Sequence, residues 1–243
     1  MSKKIALISG ASRGIGKEIA IALAQDNYIS VITYISSPDK ANDVVQQIQK
    51  SGGEALTFKA DVSNEAEVDS LFQQIQDKFG KIDVVINTAG ISILKPLSEL
   101  STSDFNKVMN TNLMGTFHIL QKSVKYLSKG GRILTFSSNV TDTLPANYSI
   151  YAASKAAVET MSKILSKELR GREITVNVIS PGPTGTDMFL EGKSPELVQQ
   201  FAQLSPFERL GKPEDIINVV KFLLQPEAVW INGQVIKVNG GSN

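Results

Sequence analysis

No cysteine occurs in the 243 residues. Disulfides, zinc–thiolate centres and cysteine nucleophiles are excluded with it. Histidine is nearly as scarce: His118 stands alone. That excludes sites built from several histidines, and His118 itself reads as a packing or surface residue. Charge of one sign is also missing, with 25 Lys and Arg against 24 Asp and Glu and no long basic run, so the electrostatic footprint of a nucleic-acid binder is absent. No apolar stretch approaches the roughly 20 residues that span a bilayer. The run Ile5-Ala-Leu-Ile8 is too short for a signal h-region and gives way to glycine. The expectations are therefore no metal, no nucleic acid, no membrane, and a cytoplasmic location. Repeats, linkers and low-complexity segments are lacking too. What remains is an ordinary balance, 42% hydrophobic and 20% charged, sufficient for the core of one large α/β domain.

Strand and helix patterns alternate along the chain. Ile5 to Ile8 reads as a buried strand. It is followed by the turn Gly10-Ala-Ser-Arg-Gly14-Ile-Gly16 and by a helical pattern at Ile19, Ala20 and Leu23. In that context the first glycine permits a tight turn, and the later ones let a phosphate approach N–H groups at the positive end of the helix. The spacing is GxxxGxG, not GxGxxG. A second strand covers 28–34. About 20 residues past the glycines, a carboxylate ordinarily holds the ribose 2′-hydroxyl of NAD. Here Tyr34-Ile-Ser36-Ser37 stands instead, and nothing repels a 2′-phosphate. Arg13 and the hydroxyls of Ser36 and Ser37 suit such a group, which favours NADP(H) while NAD(H) remains possible. A third strand at 55–58 leads to Asp61 and Val62. Asp61 can accept from an adenine amino group while Val62 packs on the ring; it reads equally as a helix-entry aspartate. The fourth strand, 82–86, ends at Asn87-Thr-Ala89-Gly90, where small residues let the backbone pass close to a cofactor and Asn87 can pin neighbouring strands.

Ser101-Thr-Ser-Asp104 is a capping-box start for a long helix that carries Asn112 amid apolar residues. A fifth strand, 132–136, ends at Ser137-Ser138. After a loop, Tyr151-Ala-Ala-Ser-Lys155 opens a helix to about 170. Residues four apart share a helix face, so phenol and ammonium can enter one site, and an ammonium beside a phenol lowers its pKa. The sixth strand covers 174–179 and exits through Ser180-Pro-Gly-Pro-Thr-Gly-Thr186. A weakly patterned segment, 183–210, suits a substrate lid. A helix at 213–224 and a strand at 234–238 close the chain. The fold expected is a single-domain, doubly wound (Rossmann) α/β structure, a seven-stranded parallel sheet with helices on both faces.

Gly10-x-x-x-Gly14-x-Gly16, Asn87-x-Ala-Gly90, Asn112, Ser138, Tyr151-x-x-x-Lys155 and Pro181-Gly182 occur in order with fitting gaps. The chain resembles the short-chain dehydrogenase/reductase family over essentially its full length. Within it, Pro206-Phe-Glu-Arg-Leu-Gly-Lys-Pro-Glu-Asp215, Ile231-Asn-Gly-Gln-Val235 and Gly240-Gly241 are similar to signatures of the 3-oxoacyl-[acyl-carrier-protein] reductase group. The resemblance implies hydride transfer from a nicotinamide to a carbonyl, with Tyr151 as general acid. Lys155 would tune Tyr151 and bind the nicotinamide ribose, Ser138 would donate to the carbonyl oxygen, and Asn112 would hold a water leading to solvent. It also implies cofactor contacts at Gly10, Ser12, Arg13, Gly14, Ile15, Gly16, Tyr34, Ser36, Ser37, Asp61, Val62, Asn87, Ala89, Gly90, Pro181, Gly182, Thr184 and Thr186. The substrate implied is a 3-oxoacyl thioester, as in fatty acid synthesis, with Lys129, Arg132, Arg170 and Arg172 as docking charges for an acyl carrier protein. Another ketone, sugar, steroid, quinone or alcohol is the alternative, as is a non-catalytic dinucleotide-binding regulator. Relatives imply a homotetramer, or a dimer, formed through the helices carrying Asn112 and Tyr151, with the C-terminal strand as another contact.

Overall fold

The apolar runs become strands because both of their faces are covered. In the computed structural model, which describes residues 3–243, the strands are β1 (Lys4–Ser9), β2 (Tyr28–Tyr34), β3 (Glu54–Lys59), β4 (Ile82–Asn87), β5 (Leu127–Phe136), β6 (Thr175–Pro181) and β7 (Val235–Val238). They form one parallel sheet in the order β3-β2-β1-β4-β5-β6-β7. The period of two along β1 separates two cores. Ala6 and Ile8 join the layer of α1 (Gly14–Gln25) and α2 (Pro38–Lys50), through Ile19, Leu23, Val44 and Ile48. Ile5 and Leu7 join the opposite layer, with Leu71 and Phe72 of α3 (Glu65–Phe79). That layer also holds Ile119 of α5 (Gly115–Tyr126), which follows α4 (Thr102–Met109). A short α6 (Val140–Thr143) precedes α7 (Ser149–Glu168), whose Leu165 closes the same core. The chain then makes α8 (Asp187–Leu190), α9 (Pro195–Gln203) and α10 (Pro213–Leu223), and α10 returns Ile216 and Val220 to the first layer. No helix among the described residues is long and apolar enough to cross a membrane.

Three local features differ from the sequence reading, each for a physical reason. The expected long helix is broken: Asn110–Met114 is one π-helical turn between α4 and α5. Its widened ring accommodates Asn112, whose carbonyl accepts from Thr116 Oγ1 at 2.6 Å, and such turns concentrate at functional sites. The fifth strand starts early, at Leu127, since Leu127 pairs with Ile82 before the register slips and resumes at Val84 opposite Arg132. Gly130, at φ +79°, lies in the slipped segment. The weakly patterned segment after β6 contains two short helices, α8 and α9.

Candidate active site

The strand order reverses between β1 and β4, and in open parallel sheets ligands bind at the C-terminal ends of the strands at such a reversal. A cleft of about 520 Å³ lies there. The glycine turn forms its floor. Gly10 has φ +69°, and a Cβ on it would stand 2.8 Å from the Ala89 backbone. A Cβ on Gly16 would stand 2.3 Å from Thr88 Oγ1, whereas Gly14, at φ +58°, faces open space. Two of the three glycines thus pack the turn against the end of β4, and the third leaves room above the N-terminus of α1. This is a cradle a phosphate fits. Ser12, Arg13, Ile15, Tyr34, Ser36, Ser37, Val62, Ala89, Gly90, Pro181, Gly182, Thr184 and Thr186 line the same cleft.

At the other end the cleft is walled by Ser138, Tyr151 and Lys155. Tyr151 lies in the first turn of α7 and Lys155 one turn later. Burial raises the Tyr151 pKa above its ordinary value; the Ser138 hydroxyl pulls it partly back and Tyr148 pushes it up. Lys155 is held down to about 8, by burial. The lysine was expected to lower the tyrosine pKa, and the structure differs. Lys155 Nζ donates to the Phe136 carbonyl at the end of β5, 2.8 Å away, and stands 5.8 Å from the Tyr151 ring centroid. Desolvation outweighs their mutual attraction, so both groups are pushed toward their neutral forms.

Three of the named residues stand behind the cleft instead of lining it. Asn112 is fully buried. Its Oδ1 accepts from Ile91 N at 2.8 Å, while its Nδ2 donates to Ile91 O at 2.9 Å and to Ser154 Oγ at 3.0 Å. The amide is saturated by protein, and it fixes the strand exit beside Gly90. Asn87 bonds Ser9 Oγ through Oδ1 and Thr116 Oγ1 through Nδ2 (2.8 Å), pinning β1, β4 and α5 together. Asp61 accepts from Ser63 N at 2.9 Å and from Ser63 Oγ at 2.8 Å, closing the loop ahead of α3. The cap of α3 is Asn64. His118 is buried, with Nδ1 3.0 Å from the Val62 carbonyl. Its role there is packing.

The sequence reading missed Lys40, which lines the cleft beside Ser36 and Ser37. The signal was available, because Pro38 starts α2 and places Lys40 in its first turn. It also missed the apolar wall formed by Leu94, Val140, Pro145, Tyr148, Met188, Phe189, Phe201 and Leu204, which loops and the short helices α6, α8 and α9 bring together. The carrier-docking charges need correction. Arg132 is buried, with Nη1 donating to the Gly130 and Gly131 carbonyls at 2.6 and 3.0 Å. Arg172 donates to Val124 O and to Leu127 O, capping the end of α5. Lys129 pairs with Glu173 at 2.9 Å. Arg170 is exposed and has no such partner among the described residues.

Residues 10–243 match the family model described as enoyl-(acyl carrier protein) reductase. A short-chain type dehydrogenase/reductase of Picea abies is 40% identical over 98% of this chain and 92% of its own length. The hydroxynaphthalene reductase-like protein Arp2 of Metarhizium acridum is 38% identical over 100% of this chain and 96% of its own. Among solved structures, the angucycline C-6 ketoreductase LanV with bound NADP superposes with a TM-score of 0.92 at 34% identity, covering 98% of this chain and 95% of the other. The likeness runs over essentially the full length in family model, relatives and solved structure alike: the chain belongs to the short-chain dehydrogenase/reductase family.

Proposed function

We propose that the protein reduces the carbonyl of an apolar, ring-bearing ketone to a secondary alcohol with NADPH. The observation that carries this reading is one cleft with three unlike regions. A glycine cradle with Arg13 and Lys40, the Ser138–Tyr151–Lys155 cluster, and a wall rich in aromatic and aliphatic side chains all line it. When bound, the dinucleotide supplies the hydride. The protein's own part is to place and polarise the carbonyl. Ser138 donates to the oxygen on which negative charge develops. Tyr151, held protonated by burial, gives the proton. Lys155 stays within the same buried wall, where its ammonium suits the ribose hydroxyls and the passage of a replacement proton. Arg13, Ser36, Ser37 and Lys40 suit a 2′-phosphate, since no carboxylate lines that corner of the cleft.

The apolar wall favours a ring ketone over the 3-oxoacyl thioester of an acyl carrier protein, because the basic surface expected for the carrier is half consumed by internal bonds of Arg132 and Arg172. Names of relatives, a hydroxynaphthalene reductase-like protein and an angucycline ketoreductase, point the same way. The test is NADPH oxidation with α-tetralone, acetoacetyl-N-acetylcysteamine and a keto sugar at matched concentrations. The highest kcat/KM falls on α-tetralone if the reading is right; a thioester preference of tenfold or more refutes it. Tyr151→Phe separates catalyst from regulator. Turnover falls by about 10²–10⁴, the range of a general acid, while NADPH binding by fluorescence titration stays near that of the parent. We also read α4, α5 and α7 as subunit contacts of a homotetramer, supported by exposed Phe105, Phe117 and Ile164; sedimentation velocity tests this.

A further inference from the structure

Apart from its hydrogen bond with Tyr151, the Ser138 side chain has little to hold it. Its hydroxyl lies 3.5 Å from Val140 N, at the limit of a hydrogen bond. The loop around it is fixed instead. On the sheet side, Ser137 N donates to Ile179 O at 2.8 Å and Asn139 N to Pro181 O at 3.0 Å. On the helix side the anchor is Glu159. Its Oε1 accepts from Ser137 Oγ at 2.5 Å and from Thr141 Oγ1 at 3.0 Å. Thr141 Oγ1 also lies 3.0 Å from the Ser138 carbonyl. One carboxylate oxygen thus holds residues on both sides of Ser138. Glu159 stands in α7 four residues beyond Lys155 and eight beyond Tyr151, so successive turns of one helix present the phenol, the ammonium and the anchor of the serine loop.

We propose that Glu159 is a positioning residue for the reaction, acting through Ser138 by clamping residues 137–141 onto the helix that carries Tyr151. The inference rests on the role given to Ser138 above. Hydrogen bonds to a charged acceptor are the strong ones, and Ser137, 4% exposed, has no solvent to replace the anchor. Without Glu159 the Ser137 hydroxyl must find another partner, and the loop shifts to supply one. Displacement of a catalytic group by about 1 Å costs on the order of 10²-fold in rate, so a partial shift is expected to cost about tenfold. A neutral amide oxygen in the same place can accept both hydroxyls, so geometry and charge are separable.

The test uses Glu159→Ala, Glu159→Gln, Ser138→Ala and the double variant Ser138→Ala/Glu159→Ala in the full chain. Rates are taken with whichever of α-tetralone and the acetoacetyl thioester turns over faster, alongside crystal structures of the two Glu159 variants. Glu159→Ala is expected to lower kcat about tenfold with KM for NADPH within twofold. Glu159→Gln recovers most of that loss. In the Ser138→Ala background the alanine at 159 has little further effect, and the Glu159→Ala structure shows the 137–141 loop displaced from Tyr151. An undisplaced loop, or an equal further loss in the double variant, overturns the proposal. A Ser138→Ala variant with the parent's kcat overturns the serine's assigned role instead, whatever the loop does.

Discussion

Lys155 gives the sharpest test of the site's electrostatics, through stability and not rate. Its side chain is 6% exposed, and burial depresses its pKa from 10.5 to about 8. The drop is equivalent to roughly 3 kcal/mol of penalty on the ammonium in the fold. The hydrogen bond to Phe136 O returns about 1 kcal/mol. Lys155→Met keeps the length of the side chain and removes both contributions, a net stabilisation of about 2 kcal/mol at pH 7. In a chain of this size that raises Tm by about 4–8 °C. Folded and unfolded chains both hold the proton below pH 8, so the full penalty stands there. Between pH 8 and 10.5 the folded chain releases it first, and the parent gains stability as pH rises. The advantage of the variant therefore shrinks through that window. Scanning fluorimetry of nucleotide-free protein at pH 7, 8 and 9.5 reads this directly. A variant that melts at or below the parent at pH 7, or a difference that is flat to pH 9.5, refutes the reasoning.

Asn112→Ala removes three hydrogen bonds, two of them to the half-buried Ile91 backbone. It is expected to cost about 2–3 kcal/mol and to lower Tm by about 5–10 °C; a fall under about 2 °C would leave the pinning role unsupported. Arg13→Ala and Lys40→Ala each raise KM for NADPH by up to about tenfold, given their exposure, and leave KM for NADH within twofold. Equal effects on both nucleotides would move the 2′-phosphate elsewhere.

Much of the fold was legible because each β–α unit carries its own punctuation. Ile5 to Ile8, the glycine turn and Ile19 to Leu23 declare strand, turn and helix within 20 residues, and the same alternation persists to Val238. The cluster was legible in part: Tyr151 and Lys155 are related by helical spacing, a local property. What escaped was long-range. The partner of Lys155 lies 19 residues back at Phe136, and the partners of Asn87 lie 78 and 29 residues away. Spacing gives the proximity of phenol and ammonium but not the depth at which they sit, and depth decides the direction of both pKa changes. Arg132 was misread for a related reason. The glycines before it look like a surface loop, whereas Leu127 had already joined the sheet.

The two halves of the cleft are built from different materials, and this bears on how each responds to change. Toward the cradle and the reacting groups, position is set by backbone contacts and hydrogen-bonded buried amides: Gly10 against Ala89, Asn87 on Ser9 and Thr116, Asn112 on Ile91 and Ser154. Each such link joins distant parts of the chain, so a substitution there disturbs stability and chemistry together. The lid side rests on side-chain packing. Phe189 and Phe201 meet edge to face with centroids 5.2 Å apart, and Met188 and Leu204 are more than a third exposed. Little of the main core depends on these residues, because both core clusters are complete without them. Exchanging them alters the shape offered to a ring without removing a strand contact or a buried hydrogen bond. If the proposed function holds, substrate range is separable from catalysis in this chain: the carbonyl would be fixed by the rigid half, and the remainder of the substrate selected by the half that the fold can spare.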